Sequence, residues 1–503
     1  MSLEPVFEKI KFNCEKKHLH QQIRLDCKSD VAVEDIGSVL SVTAWAVVSE
    51  SDISGGQIRY GGKAIFYICY LDKEGAIKKC ECGNEFKGTI TEQTVKDDAK
   101  LFVTATVDKT DFDITGARLC VGAYTTVCAQ VTECFEGQAL LGGDDLIVNE
   151  NQLSCIKSCG VKKGVFPVEE QFELSYPVEQ VLCHRAQAVL TAVQSGVGAI
   201  IVDGEVLLSA IALQKNDKND IIKENKSLPF RFEIECEDAM PNMNAVARVK
   251  ERTHKIDVTV DEESGKSLLN VSVSICLEGE AFYEQTVSVA SDVFSTEQEL
   301  EISKDETASW LFSEMSCCSS NISQRASVDE LPIGAVVLAV GNETVEGLAV
   351  QFNGTKAVVS GVLCGTLYFR DGDGVAFCKR IETAFESELP CLVSGDEKLE
   401  VIARVKNSRA RIVSLMEVEI DAELCFTVYS ENKNQVKLIS QIKACGEKKK
   451  NCSALSVYIP YEGEELWSLA KRLNVCPKAL VETNTDLLFP LTGKERIVIY
   501  RQK

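Results

Sequence analysis

The chain has 503 residues, 45% hydrophobic and 26% charged, with a formal net charge of −22 at pH 7. That length exceeds one compact core and sets an expectation of about three to five domains at roughly 100–200 residues each. Its acidity repels phosphate backbones and anionic headgroups, which argues against nucleic acid and membrane surfaces as partners.

In chain order, the opening stretch MSLEPVFEKIKFNC lacks the basic-then-apolar pattern of a signal peptide. No apolar run reaches the ~18–20 residues that span a bilayer, so a cytosolic chain without membrane insertion is expected. Cys14, His18, His20 and Cys27 fall within this first segment, but their spacing fits no standard zinc finger, and an ordinary strand with surface histidines is the preferred reading. A repeat begins next. GGKAIFYICYL from Gly61 is followed by VTATVDKTDFDI from Val103. DGEVLLSAIAL from Asp203 is followed by AVARVKERTHKI from Ala245, and SGVLCGTLYF from Ser360 by VIARVKNSRARI from Val401. Gly62 to Ala105 spans 43 residues, Gly204 to Ala247 spans 43, and Gly361 to Ala403 spans 42. A marker recurs as VEDI from Val33, VEQV from Val178 and VDEL from Val328.

Alternating runs rich in Val, Ile, Thr, Phe and Tyr make each copy mainly β, with polar turns such as DKEG, NDKND and DGDG at hairpin spacing. RDGDGVAF lacks the later ligand positions of a calcium loop and reads as a turn. Aligning VFPVEEQFEL from Val165 with VFSTEQELEI from Val293 leaves a helical insertion in the third copy, about residues 303–327 around Trp310. The expected boundaries are 1–158, 159–290 and 291–445 for the three β domains, 446–456 for a Lys-rich linker and 457–503 for a terminal module. Most of the 22 cysteines, Cys69, Cys128, Cys276 and Cys425 among them, sit in apolar strand patterns and read as small core residues. Cys80, Cys82, Cys317 and Cys318 lie in polar stretches and are the candidate reactive thiols. No nucleophile elbow, P-loop or dinucleotide pattern occurs, so no catalytic residue, cofactor or metal is expected.

The terminal module carries seven Lys/Arg and six Asp/Glu, near neutral beside a body at −23. LSVYIPYEGEE gives a strand and turn, and Leu466, Leu469, Ala470 and Leu473 fall at helical spacing. Asn474 ends that helix, Pro477 opens a second, and RIVIY returns as a strand. EGEELWSLAKRLNV, LVETN and LTGKERIVIY together resemble the LysM family. The three body repeats resemble SPOCS domains of spore-coat-associated proteins. The fold class expected is therefore mainly β: three repeated β-rich (SPOCS-like) domains followed by a small βααβ LysM domain. The resemblance implies a non-enzymatic adaptor in the mother-cell cytoplasm at the forespore surface, whose LysM module docks onto the coat-basement ATPase SpoIVA. It places the partner-binding groove and anchor at Gly463, Glu464, Glu465, Leu466, Trp467, Asn484, Thr485, Asp486 and Leu487, with Trp467 as the aromatic anchor. LysM domains typically bind N-acetylglucosamine polymers, so peptidoglycan binding is the alternative. Here the usual Gly-Asp-Thr reads Gly463-Glu464-Glu465 and the usual Asn-Pro reads Asn484-Thr485, which favours the protein partner.

Overall fold

The computed structural model describes residues 4–115, 117–215, 220–353, 356–392, 397–449 and 453–500. The body is three units of six strands each. Unit one holds β1 (Pro5–Ala32), β2 (Ile36–Ser54), β3 (Gln57–Asp72), β4 (Ile77–Thr91), β5 (Lys100–Thr115) and β6 (Arg118–Gly143). Unit two holds β7 (Ile147–Glu173), β8 (Val178–Ser195), β9 (Ala199–Gln214), β10 (Ile221–Glu235), β11 (Asn244–Val260) and β12 (Ser267–Phe294). Unit three holds β13 (Gln298–Ser327), β14 (Val336–Asn353), β15 (Lys356–Arg370), β16 (Ala376–Leu392), β17 (Glu397–Ser414) and β18 (Glu417–Glu447). In each unit the second, third and fourth strands form an antiparallel meander. The sixth strand lies between the first and fifth in a second sheet. The two sheets close on one apolar core per unit, as in unit one, where Ile58, Phe66 and Ile68 meet Val103, Leu119 and Val131.

The glycine that marks the repeat lies inside the third strand. Gly62 is opposite Phe86, Gly204 opposite Phe230 and Gly361 opposite Phe385. A Cβ on Gly204 would lie 2.4 Å from the Phe230 ring and 2.4 Å from the Val189 carbonyl oxygen. The missing side chain lets the cross-strand ring lie over the backbone. Turns correspond as well. Asp72 Oδ1 accepts the N–H groups of Glu74 and Ala76, and Asp371 Oδ1 accepts those of Asp373 and Val375. The DGDG carboxylate is thus holding a hairpin turn.

Two expectations are corrected. The helical insertion at 303–327 is the greater part of β13, a 30-residue strand paired with β18 along its length. It matches the 28 and 27 residues of β1 and β7, so nothing is inserted. VFPVEEQFEL ends a first strand, whereas VFSTEQELEI crosses from β12 into β13, and aligning them created the apparent excess. The boundaries move for the same reason. Residues 147–158 pair with β12 and belong to unit two, and β12 runs to Phe294, so the divisions fall at 144–146 and 295–297.

The units pack together. Tyr67 and Cys69 of unit one, Leu182, Ile211 and Leu213 of unit two, and Ala339 and Tyr368 of unit three share one cluster. Ile10 and Phe12, Cys155 and Val289, and Val436 and Leu438 share another at the ends of the long strands. Glu400 of unit three is held by Arg248 of unit two at 2.8 and 2.6 Å, and by Gln130 of unit one at 2.7 Å. Burial opposes its charge, but the Arg248 hydrogen bonds, with Arg248 and Lys16 as cations, hold Glu400 down at about 2.

Candidate functional site

The terminal module begins with β19 (Leu455–Tyr458), continues through α1 (Leu466–Leu473) and α2 (Pro477–Thr483), and ends with β20 (Ile497–Tyr500). Its order is the expected strand, helix, helix, strand. Leu469, Ala470 and Leu473 are buried, Leu466 is half-buried, Asn474 closes α1 in the left-handed region at φ 55°, and Pro477 opens α2. The module's core is completed by Phe294 and Ile147 from the tip of unit two.

The predicted groove residues divide into separate constellations. Gly463 donates its N–H to Leu491 O at 2.7 Å, and Leu491 N–H donates to Glu464 O at 3.0 Å. The Glu464 carboxylate accepts Arg472 Nε and Nη2, both at 2.8 Å, and the Tyr461 N–H at 3.0 Å. The Arg472 hydrogen bond holds the Glu464 carboxyl below its ordinary range. Glu464 therefore ties its own loop together. Glu465 is exposed at the N-cap without a side-chain cap bond. Asn484 spends its amide on backbone, donating to Leu480 O and Val498 O at 2.8 Å each and accepting Val498 N–H at 2.7 Å. Thr485 and Asp486 are exposed beyond it, and Leu487 is half-buried against the module core.

Trp467 faces the body. Its Nε1–H donates to Asp292 Oδ2 at 2.9 Å, and its ring meets Phe294 edge-on at 5.2 Å. Lys471, four residues on and hence on the same helix face, donates to both Asp292 oxygens at 2.7 Å. Asn474 Nδ2 donates to Thr296 O at 2.6 Å and its Oδ1 accepts Lys448 Nζ at 2.9 Å. The aromatic anchor and the supposed linker thus fasten the module to unit two. Glu447 still belongs to β18, and Lys448 donates its N–H to Glu297 O at 2.8 Å. Of that expected linker, residues 450–452 lie outside the described residues.

The surface left open is one that the groove residues do not include. Leu455 is opposite Tyr500 and Val457 opposite Val498, and direct cross-strand partners share a face. The other face, with Ile497 and Ile499, is the module core. Leu455, Val457 and Tyr500 are each more than half exposed, as are Ile459 and Tyr461, which continue the alternation. The signal was in LSVYIPY, where every second residue is apolar on a strand whose inner face was already accounted for.

A cavity of about 550 Å³ lies where the units meet, walled by Phe102, Phe282, Trp310 and Phe312. Its cations are already matched: Lys100 to Glu280 at 2.5 Å and Lys163 to Glu278 at 3.1 Å. Among the described residues that line it there is neither histidine nor cysteine. The first-segment histidines and cysteines form no ligand set among the described residues. His18 lies beside Glu400, and burial lowers its pKa, whereas Cys27 packs against the core of unit one; the Cys14 side chain lies outside the described residues. No group of three or more His, Cys, Asp or Glu among the described residues is placed to hold a metal.

No family model, curated protein or solved structure matches the chain.

Proposed function

We propose that the chain is a non-enzymatic adaptor of bacterial endospore formation, three SPOCS-like units carrying a LysM-like module that docks onto a SpoIVA-like coat-basement ATPase at the forespore surface, in the mother-cell cytoplasm. The layout resembles that of SipL, a clostridial spore morphogenesis protein. The observation that carries the reading is the outer face of the β19–β20 sheet. It presents Leu455, Val457 and Tyr500 to solvent on a near-neutral module, while the body beneath it is strongly acidic. An apolar patch of this kind is a protein-contact surface, and a neutral rim avoids the repulsion that the body would impose. Fastening through Trp467, Lys471 and Asn474 presents that face in a fixed orientation. Peptidoglycan binding finds less support. A sugar groove needs uncommitted donors and acceptors for the N-acetyl group, and Glu464 and Asn484 are engaged with Arg472 and with backbone.

The test is a paired pulldown of the full chain on immobilised SpoIVA-like ATPase and on insoluble peptidoglycan. Retention by the ATPase and not by the glycan is expected; the reverse would overturn the adaptor reading.

A further inference from the structure

Cys317 on β13 and Cys425 on β18 bring their sulfurs to 3.5 Å in unit three. Cys317 is opposite Thr427 and Ser319 is opposite Cys425, so the two cysteines are diagonal neighbours on one face of the sheet. Val189 and Leu207 of unit two pack over them. Cys425 is 5% exposed, whereas Cys317 is half-buried and reachable from solvent. Charge costs less on the sulfur that water can reach, which favours Cys317 over Cys425 as the one to ionise. The Cys425 hydrogen bond accordingly pulls the Cys317 thiol down, and the same contact, with burial, pushes Cys425 up. Cys80 and Cys82, the other pair singled out by sequence, respond in the opposite sense, because burial raises both.

We propose that Cys317 and Cys425 form a peroxide-responsive dithiol, with Cys317 the attacking sulfur and Cys425 the resolving one. The oxidant is hydrogen peroxide. The Cys317 thiolate attacks one peroxide oxygen, the O–O bond breaks, and the departing hydroxide takes up a proton as water, leaving Cys317 as a sulfenic acid. The Cys425 sulfur then attacks the Cys317 sulfur. The S–O bond breaks, hydroxide leaves with the Cys425 proton as water, and the S–S bond forms. Two thiols and one peroxide give one disulfide and two waters. Diagonal neighbours in a sheet usually sit about 7–8 Å apart, wider than the ~4.4–6.8 Å between α-carbons of a relaxed disulfide. At that spacing the bond forms only with backbone movement and under strain, and an external dithiol, itself oxidised to a disulfide, returns it to two thiols, as suits a reversible site better than a permanent staple.

The experiment is peptide mapping of the full chain by mass spectrometry after hydrogen peroxide, with alkylation of remaining thiols under denaturing conditions. The expected result is a Cys317–Cys425 cross-linked peptide, lighter by two hydrogens, that forms ahead of any other disulfide and disappears with dithiothreitol. In Cys425→Ser, Cys317 should accumulate as a dimedone-trapped sulfenic acid, and in Cys317→Ser, Cys425 should remain unmodified. The wild-type map requires no variant to fold. The proposal is overturned if both sulfurs remain free while other cysteines oxidise, or if Cys317 oxidises without bonding to Cys425.

Discussion

Gly62, Gly204 and Gly361 occupy the same place in their units because a phenylalanine ring lies across each, and the three sites differ in how much room remains. A Cβ would meet backbone oxygen at 2.0 Å at Gly62 and 2.4 Å at Gly204, but at 3.1 Å at Gly361. Alanine at either of the first two should cost about 1–3 kcal/mol by overpacking, and clearly less at Gly361. Denaturant unfolding of the three single variants checks that order. His254 sets a second residue-scale expectation. It is 7% exposed with neither ring nitrogen hydrogen-bonded among the described residues, edge-on to Trp45 at 4.1 Å and to His184 at 4.7 Å. Burial holds it down at about 4, below its ordinary 6.5. Between those values the unfolded chain binds the proton and the folded chain does not. Stability is therefore complete above pH 6.5 and falls as pH drops towards 4, by about 3 kcal/mol at full extent. His254→Phe should reduce that slope in unfolding measurements at pH 7 and 4.5, leaving the part that His184, also held down by burial, contributes; an unchanged slope would show that His254 is not a source. Neither property is visible in sequence, since a glycine in a strand and a lone histidine do not name their neighbours.

The elements were more legible. The strand–helix–helix–strand order of the module follows from helical spacing at Leu466, Leu469, Ala470 and Leu473 and from Asn474 and Pro477, which are local signals. The sequence marked Trp467 as an anchor for a separate partner, whereas its indole meets Asp292 of unit two, 175 residues away in the chain and beyond any local pattern. β13 was misread for a physical reason. Its polar, serine-rich text has no strong alternation, and it is a strand because β18 supplies hydrogen bonds along its whole length. Asp292→Ala removes both charge-assisted contacts to α1. With Lys471 and Asp292 partly exposed and screened, the loss should be about 1–2 kcal/mol of docking. Hydrogen exchange should then speed up in α1 while the unit two strands remain protected; unchanged exchange in α1 would assign the docking to Phe294 and the Asn474 contacts.

At the scale of the molecule, the three-copy body was legible from the glycine-to-alanine spacing, but its assembly was not. A strand with one buried face alternates, but β3 buries Phe66 and Ile68 in its own unit and Tyr67, Cys69 and Leu71 against the others. Boundaries slipped because the long strands have no fixed motif at the turns that separate units. The assembled body positions the module so that the β19–β20 face points outward, and the adaptor reading rests on that face. Its most direct test is the affinity of the full chain for a SpoIVA-like ATPase, measured for wild type beside Val457→Asp and Tyr500→Asp, with circular dichroism as the control for folding. An unpaired carboxylate in the contact costs ~3 kcal/mol or more, so each variant should bind roughly 100-fold more weakly while remaining folded. Folded variants that bind as tightly as wild type would contradict the account.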